Sequence, residues 1–375
     1  MNSPRHERIT DKQAVLQTAA RLRAIVEPGR TYRFMEFCGG HTHAMFRHGL
    51  RALIPPEITL VHGPGCPVCV LPRGRIDSVL DLSTRRPDVT ICTYADLLRV
   101  PGSSGKNLFD RRAEGGDVRV VYSAEDCLSI ARSFPERRVV FLAIGFETTA
   151  PGTALLVQAA KSQKFDNLFV YCMHLLTPPA IAYVLEAPEI RRHGAVPIDG
   201  FVGPGHVSVI IGSKPYEYFS SEYQKPVVIS GFSAHDMLQS IEILVRAVHE
   251  GAAGARVLIQ YARAVAREGN PKALALAADV FELRKVFEWR GLGQVPYSAF
   301  RLRREYASFD AEREFDIVAP PTSDHPLCIC ADVVRGVALP TKCKLFGRAC
   351  TPDNPIGPCM VSSEGTCSAY HAYGY

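Results

Sequence analysis

From about residue 58 to residue 235 the chain alternates short apolar runs, several closed by a glycine-rich turn, with stretches of helical character. The candidate strands are Ile58–His62, Val89–Thr93, Val118–Tyr122, Arg138–Ile144, Leu168–Met173, Asp199–Val202 and Pro226–Ile229. Several are continuously apolar, the pattern of strands covered on both faces in a parallel sheet. Helical candidates such as Thr153–Lys161 and Pro179–Glu186 fall between them, so the alternation predicts parallel α/β units. Four strands run straight into distinctive turns: Gly63-Pro-Gly-Cys-Pro67, Gly145-Phe-Glu-Thr-Thr149, Gly203-Pro-Gly-His206 and Gly231-Phe-Ser-Ala-His235. Ligands bind beyond the carboxyl ends of such strands. The likeness of GPGCPV to GPGHVSV suggests two similar α/β halves facing one cleft.

Beyond residue 234 the pattern changes. After Ser233-Ala-His-Asp236, residues Leu238, Ile241, Leu244, Val245 and Val248 recur on one helical face. A second helix is expected over Ala255–Arg267. A third opens at Pro271, a favoured first helical position, and ends before Gly291. Asp11–Ile25 reads as an amphipathic helix suited to pack on this section. With 375 residues there is chain for several cores. The expected division is one α/β domain over 30–120, a second over 121–233, and a helical, cysteine-rich iron–sulfur domain from 1–29 and 234–375.

Six of the twelve cysteines fall in the last 48 residues: Cys328, Cys330, Cys343, Cys350, Cys359 and Cys367. Core packing does not produce such crowding, whereas Cys92, Cys127 and Cys172 are scattered as core cysteines are. Structural zinc favours short, paired CxxC knuckles. Here a CxC is followed by gaps of 12, 6, 8 and 7 residues, and wide, irregular gaps suit a [4Fe–4S] cluster better, with zinc as the alternative. A cubane takes four thiolates, leaving two. Cys328 and Cys330 point apart on extended chain, so one of the pair is expected to ligate and the other to remain free.

Cys66 and Cys69 form a CxxC after a strand and a glycine turn, the setting of a redox dithiol; half a zinc site is the alternative. Phe37-Cys-Gly-Gly-His-Thr-His43 brings Cys38 within three residues of His41, and thiolate and imidazole are good iron ligands. His43 or His48 could assist. The plainer reading is a buried cysteine beside a hydrogen-bonded histidine. A cysteine protease lacks a legible oxyanion constellation. Glu147 reads either as a carboxylate lining the cleft or as an acid at a helix N-terminus. His206 is either a second cleft residue or a buried, capping histidine.

The polar N-terminus lacks the apolar stretch of a secretory signal, so a reducing cytoplasm is expected. No apolar run reaches the roughly 18 residues of a membrane helix. A net charge of +5 is spread along the chain without a basic stripe, which argues against nucleic acid as a partner.

The strings CGGHTH (Cys38–His43), GPGCPVC (Gly63–Cys69), GFETTAP (Gly145–Pro151) and CMVSSEGTCSAY (Cys359–Tyr370) resemble, in order, the HypD family of [NiFe]-hydrogenase maturation factors. The resemblance runs from about residue 30 to the end. It implies a scaffold on which the Fe(CN)₂CO group is assembled with a small HypC-like chaperone. Cyanide would come from HypE, and the hydrogenase large subunit would be served through HypC. It implies Cys38 as ligand of the transient iron, with His41 its companion and HypC giving the second thiolate. Family spacing selects Cys328, Cys343, Cys350 and Cys367 for the [4Fe–4S] cluster, with Cys330 the alternative to Cys328. Cys330 and Cys359 would then form a second dithiol besides Cys66–Cys69. Glu147 and His206 would orient or protonate incoming ligands. Met35 and Phe46 are candidates for the surface that grips HypC, in a heterodimer formed from a monomer. The competing expectations are an iron–sulfur-linked disulfide oxidoreductase acting on a partner protein and a zinc-stabilised interaction module.

Overall fold

Each of the seven expected runs forms a strand in the computed structural model, which describes residues 4–186 and 198–374. Nine strands make two parallel sheets. They are β1 (Tyr32–Glu36), β2 (Ile58–His62), β3 (Val89–Thr93), β4 (Val118–Val120), β5 (Arg138–Gly145), β6 (Leu168–His174), β7 (Gly200–Gly203), β8 (Val227–Ile229) and β9 (Val257–Ile259). The first sheet has the order β2-β1-β7-β8-β9 and the second β4-β3-β5-β6. Phe34 pairs with Leu60 on one side of β1, and Met35 with Phe201 on the other.

Both faces of each sheet are covered, as continuous apolar runs require. In β5, Val140, Leu142 and Ile144 enter one core while Val139, Phe141 and Ala143 enter another. In the first sheet Tyr32 and Phe34 meet the helices Pro4–Ile25 and Ala234–His249 through Ala19, Leu22, Leu238, Ile241 and Leu244. The N-terminal helix thus packs where its amphipathic pattern placed it, and Arg21 bridges to Glu242. Ser233 and Asp236 form a reciprocal capping box on the helix Ala234–His249.

Three expectations meet a different structure. The helix expected over 255–267 is instead the edge strand β9 followed by turns. Its short run of Val257, Leu258 and Ile259 has the same apolar content in either conformation. The helix opening at Pro271 stops at Val280, because Phe281–Leu283 pairs antiparallel with Phe300–Leu302. Strand β1 was not anticipated, although it lies between β2 and β7. The position 120/121, expected to separate two α/β domains, lies between β4 and β5 of one sheet. The first sheet combines chain from before and after the entire second sheet. Parallel strands need long crossovers, so neighbours in space need not be neighbours in sequence.

A candidate thiol and metal centre

β1 ends at Glu36, and Cys38 caps the helix Gly39–Arg47 that follows. Three contacts fix this turn. The Cys38 amide donates to Glu36 Oε2 at 2.9 Å, the Gly39 amide to the Gly65 carbonyl at 3.0 Å, and the Gly63 amide to the Glu36 carbonyl at 2.8 Å. Gly65 is required by space: a Cβ there would lie 2.6 Å from the Cys38 nitrogen and from the Phe37 carbonyl carbon. The CGGH and GPGC loops therefore touch backbone to backbone. Below them, buried Glu36 also binds Thr42 Oγ1 and, at 2.8 Å, His62 Nδ1.

Burial pushes the Cys38 thiol well above its ordinary range, and the carboxylates of Glu364 and Glu36 push it further. Cys38 is accordingly a neutral thiol until a cation favours the thiolate. His41 is buried and pushed down to about 4 by desolvation. Its Nε2 lies 3.1 Å from the Ser230 carbonyl, so Nε2 carries the proton and Nδ1 is a bare lone pair, without a hydrogen-bond partner. The Phe232 ring is stacked on that of His206 at 3.9 Å and tilted against that of His41 at 4.7 Å. His206, also lowered by burial, thus joins the Cys38 neighbourhood through Phe232. A Cβ on Gly40 would sit 3.0 Å from Phe232 and 3.5 Å from Cys38 Sγ. His43 turns away, to the hydroxyl of Tyr373.

Cys66 and Cys69 are joined in a buried disulfide. They share a small recess with Glu36, Gly39, Cys359 and Glu364, which places the CxxC between the Cys38 loop and the tail. All six tail cysteines line a second, adjoining recess with an apolar wall of Val333, Leu345, Phe346 and Met360. Cys359 belongs to both. Within it the Cys367 amide donates to Cys359 Sγ at 3.5 Å. Among the described residues no group of three or more His, Cys, Asp or Glu side chains is arranged to hold a single metal ion. Six soft thiols around one apolar space, with the buried guanidinium of Arg290 at its edge, are a donor set chemically suited to an iron–sulfur cluster.

Glu147 is not brought into this recess. Its carboxylate accepts from the Thr177 amide at 2.8 Å and from Thr177 Oγ1 at 3.0 Å, capping the helix Thr177–Glu186 rather than its own. It lines a separate cleft with Pro178, Lys214, Glu268 and Phe300. Burial pushes it up to about 7. The buried Tyr216 phenol, raised by desolvation, lies within electrostatic reach of both Glu147 and Cys38. Met35 is fully buried, so it is withdrawn from any docking surface, while half-buried Phe46 lines an open cleft with Arg51 and Tyr370. Glu36, Phe232, Arg290 and Glu364 were missed by sequence reasoning. Glu364 lies inside the Cys359–Tyr370 string and Phe232 inside the Gly231–His235 turn, neither singled out there; Glu36 and Arg290 carry no spacing signal.

The groups gathered at this junction are thiols and a disulfide, and the molecule falls in the class of two-sheet α/β proteins with a cysteine-lined junction. The HypD family model, described as the hydrogenase formation hypA family, matches residues 13–374. The chain is 55% identical to hydrogenase maturation factor HypD of Cupriavidus necator over 98% of this chain and 96% of that relative. Identity is 53% to HypD of Rhizobium leguminosarum bv. viciae, covering 97% and 94%, and 43% to HypD of Escherichia coli K12, covering 92% and 90%. The chain belongs to the HypD family of hydrogenase formation proteins. Among the described residues no helix is long and apolar enough to cross a membrane.

Proposed function

We propose that this chain is the scaffold and redox protein on which the Fe(CN)₂CO group of a [NiFe] hydrogenase is assembled, together with a HypC-like chaperone and with cyanide received from HypE. The observation that carries the reading is the convergence of Cys38, the Cys66–Cys69 disulfide and the tail recess at the carboxyl end of β1. The iron is cargo: Cys38 binds it as thiolate, and a HypC-like partner gives the second thiolate. His41, neutral and locked with Nδ1 bare, offers a lone pair beside it.

Cyanide delivered as a protein thiocyanate is freed by two electrons and one proton, giving a thiol and cyanide. The reduced Cys66–Cys69 pair supplies both electrons and releases two protons as its disulfide forms; one goes to the partner's thiol. Cys328, Cys343, Cys350 and Cys367 would hold a [4Fe–4S] cluster, with Cys330 the alternative to Cys328. When bound it would supply electrons singly. Cys330 and Cys359, both lining the tail recess, suit a second dithiol, and Cys359 also borders the Cys66–Cys69 recess. Glu147 titrates near neutrality and is the candidate proton carrier from its own cleft; His206 holds the Phe232 face against His41.

Infrared spectroscopy with iron analysis, on anaerobic protein co-expressed with its small partner, tests the reading. Cyanide and carbonyl stretching bands are expected in the wild type and absent in Cys38→Ala. Wild-type protein with iron for one cubane and no such bands would support a disulfide oxidoreductase acting on a partner.

A further inference from the structure

Arg290 follows the strand Val286–Trp289. Its backbone amide donates to the Val70 carbonyl at 2.7 Å, next to Cys69. Its side chain, 3% exposed, turns the other way: Nε donates to Asp324 Oδ1 at 2.7 Å, Nη1 lies 3.3 Å from Cys330 Sγ, and Nη2 lies 3.9 Å from Cys328 Sγ. Gly357 leaves room for this contact, since a Cβ there would lie 3.2 Å from Cys328 Sγ and 3.4 Å from Arg290 Nη2. Behind it, buried Arg73 donates to the Ile356 carbonyl and brings its Nε to 3.7 Å from the same Asp324 oxygen. That Nε has no hydrogen-bond partner.

Two buried guanidiniums thus share one carboxylate, itself a quarter exposed. These three groups leave one positive charge over, and it faces the Cys328–Cys330 end of the recess. A buried charge without a counter-charge is costly, and neutral thiols do not supply one. An anionic occupant does: a four-thiolate iron–sulfur cluster is negatively charged and gains one more negative charge on reduction.

We propose that Arg290 is a positioning residue of the tail recess, whose buried positive charge holds the anionic centre at the Cys328–Cys330 end and raises its reduction potential. The inference rests on the cluster reading given under Proposed function. Because its backbone is tied to the loop carrying Cys66 and Cys69, Arg290 also fixes the distance between that disulfide and the recess.

The test is a redox titration followed by electron paramagnetic resonance on the full chain, reconstituted anaerobically with iron and sulfide. In Arg290→Gln the oxidised-to-reduced ratio at the wild-type midpoint should rise about tenfold, a fall of ~59 mV for a one-electron couple. Arg290→Lys should restore most of the shift, which a purely structural role would not do. Asp324→Asn, which removes the compensating carboxylate, should move the midpoint the opposite way. Unchanged midpoints in both Arg290→Gln and Asp324→Asn overturn the proposal while leaving the cluster intact. If Arg290→Gln does not retain a cluster, the Asp324→Asn midpoint decides: a rise supports the proposal and no change overturns it. A wild type that takes up no cluster fails before any midpoint is read, and overturns the cluster reading and this inference with it.

Discussion

The carboxyl of Glu147 is out of water and held by two donors from Thr177. Desolvation outweighs those bonds and raises it from 4.5 to about 7. A raised carboxyl pKa favours the folded state at low pH. Its contribution is complete below about 4.5 and is lost as pH climbs through about 7, amounting to about 3 kcal/mol at most. Glu147→Gln, which keeps an acceptor for the Thr177 amide, removes that loss. Urea unfolding at pH 5 and pH 8 should show the variant gaining on the wild type at the higher pH; parallel pH profiles would show that Glu147 does not titrate in this window. Cys38, His41, Cys66 and Cys69 were legible at this scale because cysteine and histidine at short spacing already imply chemistry. Arg290 and Glu36 were not, since arginine and glutamate are ordinarily solvated, and only the fold reveals that these two are buried.

The loops after β1 and β2 are coupled through the close approach at Gly65, where backbone of one occupies the space of a side chain on the other. Gly65→Ala must part them, breaking the bond from the Gly39 amide. Overpacking of this kind costs about 1–3 kcal/mol. We expect that loss in chemical denaturation, together with weakening of the infrared bands that the scaffold reading predicts. Retention of both would mean that the loops relax independently. The strands β2 to β8 were readable because burial on both faces leaves continuous apolar runs. β1, with Arg33 and Glu36 among its five residues, lacks that pattern; its Glu36 is tolerated inside because His62, Thr42 and the Cys38 amide surround it. β9 was read as helix because three apolar residues carry no period.

Across the molecule the tail is bound to the first sheet through Tyr370, 2% exposed. Its ring lies 4.6 Å from Phe46 and 5.6 Å from His62. Tyr370→Ala should cost about 3–5 kcal/mol, as aromatic-to-alanine changes in cores do. Limited proteolysis should then open the cysteine-rich tail before either sheet is cut; an unchanged cleavage order would place the anchoring elsewhere. Parallel α/β units were legible from alternation, and two of them from the likeness of two glycine turns, but the sharing of chain between sheets was not. Which strand neighbours which is decided by long crossovers that leave no local mark.

That sharing has a consequence during synthesis. A growing chain emerges amino end first, so the loop bearing Cys38 leaves the ribosome while β7, the second neighbour of β1, is still unmade. The whole second sheet can form in that interval, because its four strands lie consecutively in the chain. Arg290 follows later, and the six tail thiols later still. Nascent protein therefore exposes an unfinished pocket with no tail beside it. On the scaffold reading, a complete binding place exists only once Cys367 has been made, so synthesis of the cysteine-rich segment is itself a checkpoint on loading.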